Sequence, residues 1–137
     1  MNQKTPPPKP LPVFDKLTTP FWEAANRDEL LLQRCGDCGT FTFYPRYVCN
    51  QCMSSALEWT RASGRGTIYS FTVTRVAPPA FRPDAPYALV SVELEEGVRI
   101  LAGVEDIEPE DLAIGREVVV SFREAAEGIK LPCFRPA

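Results

Sequence analysis

Apolar and polar positions alternate most regularly in the second half of this chain. Tyr69, Phe71 and Val73 interleave with Ser70, Thr72 and Thr74. That is the period-two pattern of a half-buried strand, and it predicts that both rings point into a core. Residues 57–61 read as a shorter strand leading into the turn Ser63-Gly64-Arg65-Gly66, with the long strand over 67–76. Residues 76–86 hold four prolines, so they form an ordered loop rather than a tight hairpin. Strands over 87–94 and 98–104 flank Glu95-Glu96-Gly97, a hairpin signal. Residues 108–112 make one helical turn ended by Gly115, and strands over 117–124 and 129–135 surround Glu127-Gly128. From Thr67 onward the order is three strands, a short helix and two strands. That order fits the five-stranded Greek-key barrel called the OB-fold, although a small sandwich would give a similar count.

The first third reads differently. Residues 1–13 contain Pro6, Pro7, Pro8, Pro10 and Pro12, the composition of an extended tail with no core of its own. Thr19 at an N-cap, Pro20 at the first helical position and Glu23 in the first turn predict a short helix. It ends before a strand over 30–34 that runs into a cysteine pair. The expected fold is therefore mostly β: an extended tail (1–18), a helical segment with a lead-in strand (19–34), a cysteine-bearing ribbon (35–56) and a barrel (57–137). Phe21 and Trp22 lie beside the tail, and two roles are open to them. They could dock on their own domain or anchor another subunit, since aromatic residues are enriched at interfaces.

Composition removes several functions. The 137 residues include no histidine, so there is no Ser-His-Asp or Cys-His triad and no imidazole base. With 15 basic and 18 acidic residues the net charge is −3, which argues against nonspecific nucleic-acid binding. No apolar run approaches the ~20 residues that span a bilayer, and no signal-peptide core is present. The expectation is a soluble, cytoplasmic protein.

Five cysteines in a cytosolic chain point to metal rather than disulfides. Cys35, Cys38, Cys49 and Cys52 form two C-x2-C knuckles ten residues apart. Each knuckle aims two thiolates at one ion, and together they complete a tetrahedron. A redox dithiol would carry a single such motif on a βαβ pattern, which this sequence lacks. Four thiolates leave no open coordination position, so the zinc is expected to be structural, and zinc-finger peptides gain about 10 kcal/mol or more from such a site. Met53 follows the second knuckle where glycine is common, which predicts weaker backbone donation to sulfur there. Cys133 is left over, and with no histidine to activate it a buried, inert thiol is expected.

Charge is distributed unevenly. Residues 34–82 carry six arginines and two acids, a formal +4 that four zinc-bound thiolates reduce to +2, whereas residues 83–137 sum to −7. Arginines suit bidentate phosphate recognition. Arg46, Arg65, Arg75 and Arg82, with Phe81 in the proline-rich loop, are therefore candidates for an anionic small molecule. A solvated face with local ion pairs accounts for the same residues.

Several segments in order resemble a known family. They are Phe21-Trp22-Glu23; Leu31-Leu32-Gln33-Arg34-Cys35-Gly36-Asp37-Cys38-Gly39; Tyr44-Pro45-Arg46 with Cys49-x-x-Cys52; Gly64-Arg65-Gly66-Thr67-Ile68-Tyr69-Ser70-Phe71-Thr72; Pro86-Tyr87; and Leu131-Pro132-Cys133-Phe134-Arg135-Pro136. Over about residues 19–136 the chain resembles the acyl-CoA-associated zinc-ribbon/OB-fold family. It departs at Tyr44-Pro45-Arg46, where a second proline is common, and at Met53. The resemblance implies a rubredoxin-like ribbon holding zinc through Cys35, Cys38, Cys49 and Cys52, followed by an OB barrel. It further implies a non-catalytic accessory subunit, in a hetero-oligomer with a thiolase-fold enzyme (ketothiolase, acyltransferase or retro-aldolase), that helps bind coenzyme A or acyl-CoA. No equally specific motif carries over for the CoA site, for which Arg46, Arg65, Arg75, Phe81 and Arg82 are the candidates on charge and loop position alone. Three other readings follow from the same residues: a companion of an acyl-CoA hydratase, a module binding single-stranded nucleic acid, or a stand-alone enzyme using Cys133 or a carboxylate.

Overall fold

A computed structural model describes residues 5–137, so the first four residues of the tail lie outside the described part. The described residues form one α-helix and eight strands: α1 Thr19–Asn26, β1 Leu31–Cys35, β2 Phe41–Thr42, β3 Leu57–Arg61, β4 Arg65–Thr74, β5 Tyr87–Leu94, β6 Arg99–Val104, β7 Glu117–Ala126 and β8 Ile129–Pro136. The helical turn expected at 108–112 is a 3₁₀ turn over Pro109–Asp111. The first three strands make an antiparallel sheet ordered β2-β1-β3, and the other five close a barrel ordered β4-β5-β6-β8-β7. In the barrel β6 and β8 run parallel, pairing only at Gly103–Cys133 and Val104–Phe134. This is the OB-fold that the strand order predicts, with one boundary moved. Leu57–Arg61 pairs with Leu31–Cys35, so β3 belongs to the ribbon's sheet and the barrel starts at Arg65 rather than at residue 57.

The barrel core is built from alternate inward residues. Ile68, Val90, Val92, Leu94, Ile100, Val118 and Phe134 are all buried. Gly66 is required where β4 presses on β5, because a Cβ there would lie 2.4 Å from the Glu93 carbonyl oxygen. The reading of Tyr69 and Phe71 as core residues is corrected. A register shift between Ile68 and Ser70 turns Tyr69 to the outer face, 48% exposed, whereas Phe71, paired with Val90 on the same face as Val73, is 39% exposed without a change of face. A β-bulge sets two consecutive residues against one on the partner strand, so periodicity read through it points to the wrong face. Ile68 and Val73 belong to the core, and Tyr69 lies under the Arg99 guanidinium, 3.6 Å from its ring centre.

The tail is tied down before the helix begins. Thr18, not Thr19, is the N-cap. It donates its backbone N–H to Asp15 Oδ1 at 2.8 Å and accepts from the Asp15 N–H at 3.2 Å through Oγ1. The Thr18 bonds hold the Asp15 carboxyl below its usual range. Phe14 stacks on Trp22 at 5.5 Å. Two amide side chains then fasten the layers together. Asn26 donates to the Gly128 carbonyl at 2.7 Å and accepts from the Lys130 N–H at 3.1 Å, docking α1 on the β7–β8 hairpin. Gln33 does the same for the ribbon, donating to the Arg46 carbonyl at 2.9 Å and accepting its N–H at 2.7 Å. Each stands in for a strand partner and satisfies a backbone donor and acceptor at once.

Candidate metal centre and groove

The two knuckles converge. Sγ atoms of Cys35, Cys38, Cys49 and Cys52 all lie within 4.8 Å of one another, with Cys35–Cys52 at 3.5 Å and Cys38–Cys49 at 3.6 Å. A tetrahedral zinc with Zn–S bonds of about 2.3 Å separates its sulfurs by about 3.8 Å, so the donor set fits this ion. Backbone N–H groups point at the sulfurs, Cys38 to Cys35 at 3.5 Å and Gln51 to Cys49 at 3.4 Å. Electrostatics separate the thiols. The Thr40 hydroxyl and backbone N–H hold Cys38 down to about 6, and the Cys38 N–H lowers Cys35. At Cys52 the Ser54 N–H favours the thiolate, but the Cys35 thiol, burial and the other two thiols outweigh it and push Cys52 up to about 12. Four negative charges cannot share so small a volume without a cation, and a dication relieves that conflict.

The knuckles are close copies. Gly39 N–H bonds the Cys35 carbonyl at 2.9 Å, and Met53 N–H bonds the Cys49 carbonyl at 2.9 Å. Both residues have a left-handed backbone, φ 76° at Gly39 and 64° at Met53. Met53 therefore keeps the knuckle's turn and its bond to the Cys49 carbonyl, at a cost in backbone strain.

A groove of about 870 Å³ opens where β6 and β8 diverge beyond their two paired positions. Its walls come from distant parts of the chain: Phe21 and Trp22 of α1, Phe43 and Tyr44 of the ribbon, Leu101 of β6 and Leu131 of β8. Phe21 and Trp22, 1% and 7% exposed, are packed into their own domain. Their rings meet edge to face at 4.9 Å, and the Trp22 indole N–H donates to the Tyr44 hydroxyl at 3.1 Å. Cys133 also lines the groove, buried, with its thiol pushed up by burial, so it stays protonated at neutral pH.

The five residues singled out for an anion do not converge. Phe81 lines the groove. Arg65 is engaged by Glu95 at 2.9 Å, outside the groove, and that bond lowers the Glu95 carboxyl. Arg46 and Arg75 are exposed outside the groove. Arg82 is exposed too, its Nε directed at the Ala77 carbonyl at 3.4 Å. The charged groups that do line the groove are Lys9, Asp84, Glu108, Arg123 and Glu124. No periodicity marks them, because the groove assembles only once the chain has folded.

Comparison with known proteins agrees with this architecture. A family profile described as "ChsH2, rubredoxin-like zinc ribbon domain" matches residues 22–58, and "ChsH2, C-terminal OB-fold domain" matches residues 59–123. A "DUF35 domain-containing scaffold protein" of Methanocaldococcus jannaschii is 37% identical over 115 residues, covering 82% of each chain. A "Probable enoyl-CoA hydratase alpha subunit" of Thermomonospora curvata is 36% identical over 137 residues, 99% of this chain but only 42% of that protein's own length. A solved structure described as "Ltp2-ChsH2(DUF35) aldolase" superimposes with a TM-score of 0.82 at 36% identity, covering 91% of this chain and 98% of that one. Among the described residues no helix is long and apolar enough to cross a membrane.

Proposed function

Because the chain belongs to the ChsH2 (DUF35) family of rubredoxin-like zinc ribbons joined to OB-fold barrels, we propose that it is a non-catalytic companion of an acyl-CoA-processing enzyme. In this reading it binds a thiolase-fold partner of the ketothiolase, acyltransferase or retro-aldolase kind, and its groove takes part of the acyl-CoA. The partner supplies nucleophile and base. This chain supplies an apolar wall and a zinc-held platform. The observation that carries the reading is the likeness to the structure described as an aldolase with ChsH2, which extends over nearly all of that chain. The apolar lining of the groove by Phe21, Phe43, Leu101 and Leu131 suits an acyl group better than a polyanion.

A hydratase partner is the second reading, favoured by the Thermomonospora relative's printed name. The test is affinity capture of the full chain from its native cells, followed by turnover measurements on the captured enzyme with and without this chain. Recovery of a thiolase-fold enzyme whose acyl-CoA turnover falls when this chain is removed is the expected result. Recovery of a hydratase selects the second reading. Full turnover by this chain alone, abolished by Cys133→Ala, contradicts both.

A further inference from the structure

The tail does not hang free of the groove. Lys9, Pro10 and Leu11 form part of its wall. Lys9 reaches across to the loop before β5, where it pairs with Asp84 and stands 5.9 Å from the centre of the Phe81 ring. The two ends of this crossing are held very differently. On the inner side Phe14 is stacked on Trp22, and Asp15 and Thr18 are bonded to each other. On the outer side, among the described residues, there is only the Lys9–Asp84 pair, each side chain 48% exposed, and the contact with Phe81. Among the described residues, no backbone–backbone hydrogen bond involves residues 5–14. Between the two ends Val13 is 85% exposed and packs on nothing buried. A segment with a firm inner anchor, a solvent-exposed outer clasp and no backbone bonds opens at little cost.

We propose that residues 9–11 are a strap across the groove, hinged at residues 12–13 and clasped by Lys9 on Asp84 and Phe81, and that its opening admits the groove's apolar ligand. This deepens the acyl-groove reading and rests on it. With the strap clasped, the groove is narrowed and its apolar wall is screened from water. With the clasp broken, the tail swings about its Phe14 anchor and the groove is accessible from the side of the Asp84 loop. Exposed ion pairs and cation–π contacts each shift such an equilibrium only several-fold. The strap is therefore a fast gate rather than a lock, and salt loosens it.

The test uses the zinc-loaded full chain with a neutral apolar dye, N-phenyl-1-naphthylamine, so that charge changes do not act on the probe directly. Two readouts are taken on wild type, Lys9→Glu, Asp84→Lys and the double reversal: stopped-flow association of the dye, and motion of the Leu11 methyls by NMR. Either single reversal should free Leu11 and speed association about three- to tenfold. The double reversal restores the ion pair but not the contact with Phe81, so it should bring both readouts part of the way back, and added salt should speed the wild type but not Lys9→Glu. Unchanged Leu11 motion in Lys9→Glu overturns the clasp. Freed Leu11 with unchanged association overturns the gate. Absence of dye binding in every variant instead rejects the apolar-ligand reading of the groove, and the strap then gates nothing.

Discussion

The ribbon and the barrel solve the same problem of stability by opposite means. The barrel buries a continuous set of branched and aromatic side chains, from Ile68 through Phe134. Between residues 35 and 57 the ribbon buries Cys35, Thr42, Pro45 and Cys49 and leaves Tyr47 74% and Met53 71% exposed. A segment with so little buried apolar area holds its shape through cross-links, here the four thiols and the Gln33 clasp on Arg46. The groove lies along the line where the two solutions meet. A core-held wall (Leu101, Leu131) faces a wall whose ribbon residues (Phe43, Tyr44) are packed on Phe21 and Trp22 of α1.

Removing the metal breaks this comparison most strongly. Cys49→Ser should reduce bound zinc to near zero and expose residues 31–61 to hydrogen exchange, while the amides of Val90, Val92 and Val118 stay protected. On the scale of zinc-finger peptides the lost binding energy is about 10 kcal/mol. Equal loss of protection in the barrel would show that the two parts are not independent. Phe134→Ala is the reverse perturbation. Truncating this fully buried ring should cost about 3–5 kcal/mol in chemical denaturation and leave the zinc content unchanged below the transition.

Met53→Gly sharpens the picture of the ribbon alone. Relief of a left-handed backbone should stabilise the zinc-bound form by about 1 kcal/mol, seen as several-fold greater resistance to a competing chelator. The smallest effect is expected at Asp15, whose carboxyl is held below 3.8 by Thr18. A lowered folded-state value means that its contribution is complete above 3.8 and is lost as pH falls through the folded-state value. The melting temperature of Asp15→Asn should accordingly lie a few degrees below wild type from pH 7 down to about 4, with the gap closing at lower pH.

Local signals were legible in the sequence and assembled ones were not. The four zinc ligands stand out because each pair is three residues apart and no other residue type explains the spacing. The hairpins at Gly97 and Gly128 announce themselves because a turn is made by its own few residues. Tyr69 misled because one inserted residue reverses its face without altering the composition, and Phe71 misled because a strand position on the inward face need not be covered by the rest of the barrel. The anion candidates failed to converge because clustering along the chain does not imply clustering in space. Arg65 is occupied by Glu95 thirty residues away, while Arg123 reaches the groove from β7. Asn26 and Gln33 carried no signal at all, since an amide that replaces a strand partner is recognisable only when both segments are seen together.

The proposed function has the groove between the ribbon side and the barrel take part of an acyl-CoA. Hydrogen exchange of the zinc-loaded chain with and without palmitoyl-CoA tests it most directly. The account predicts new protection in residues 9–14, 43–44, 100–104 and 129–133, which line or flank the groove on both sides, and none around Ile114. Protection confined to the stretch containing Arg65 and Arg75, or no protection at saturating ligand, would contradict it.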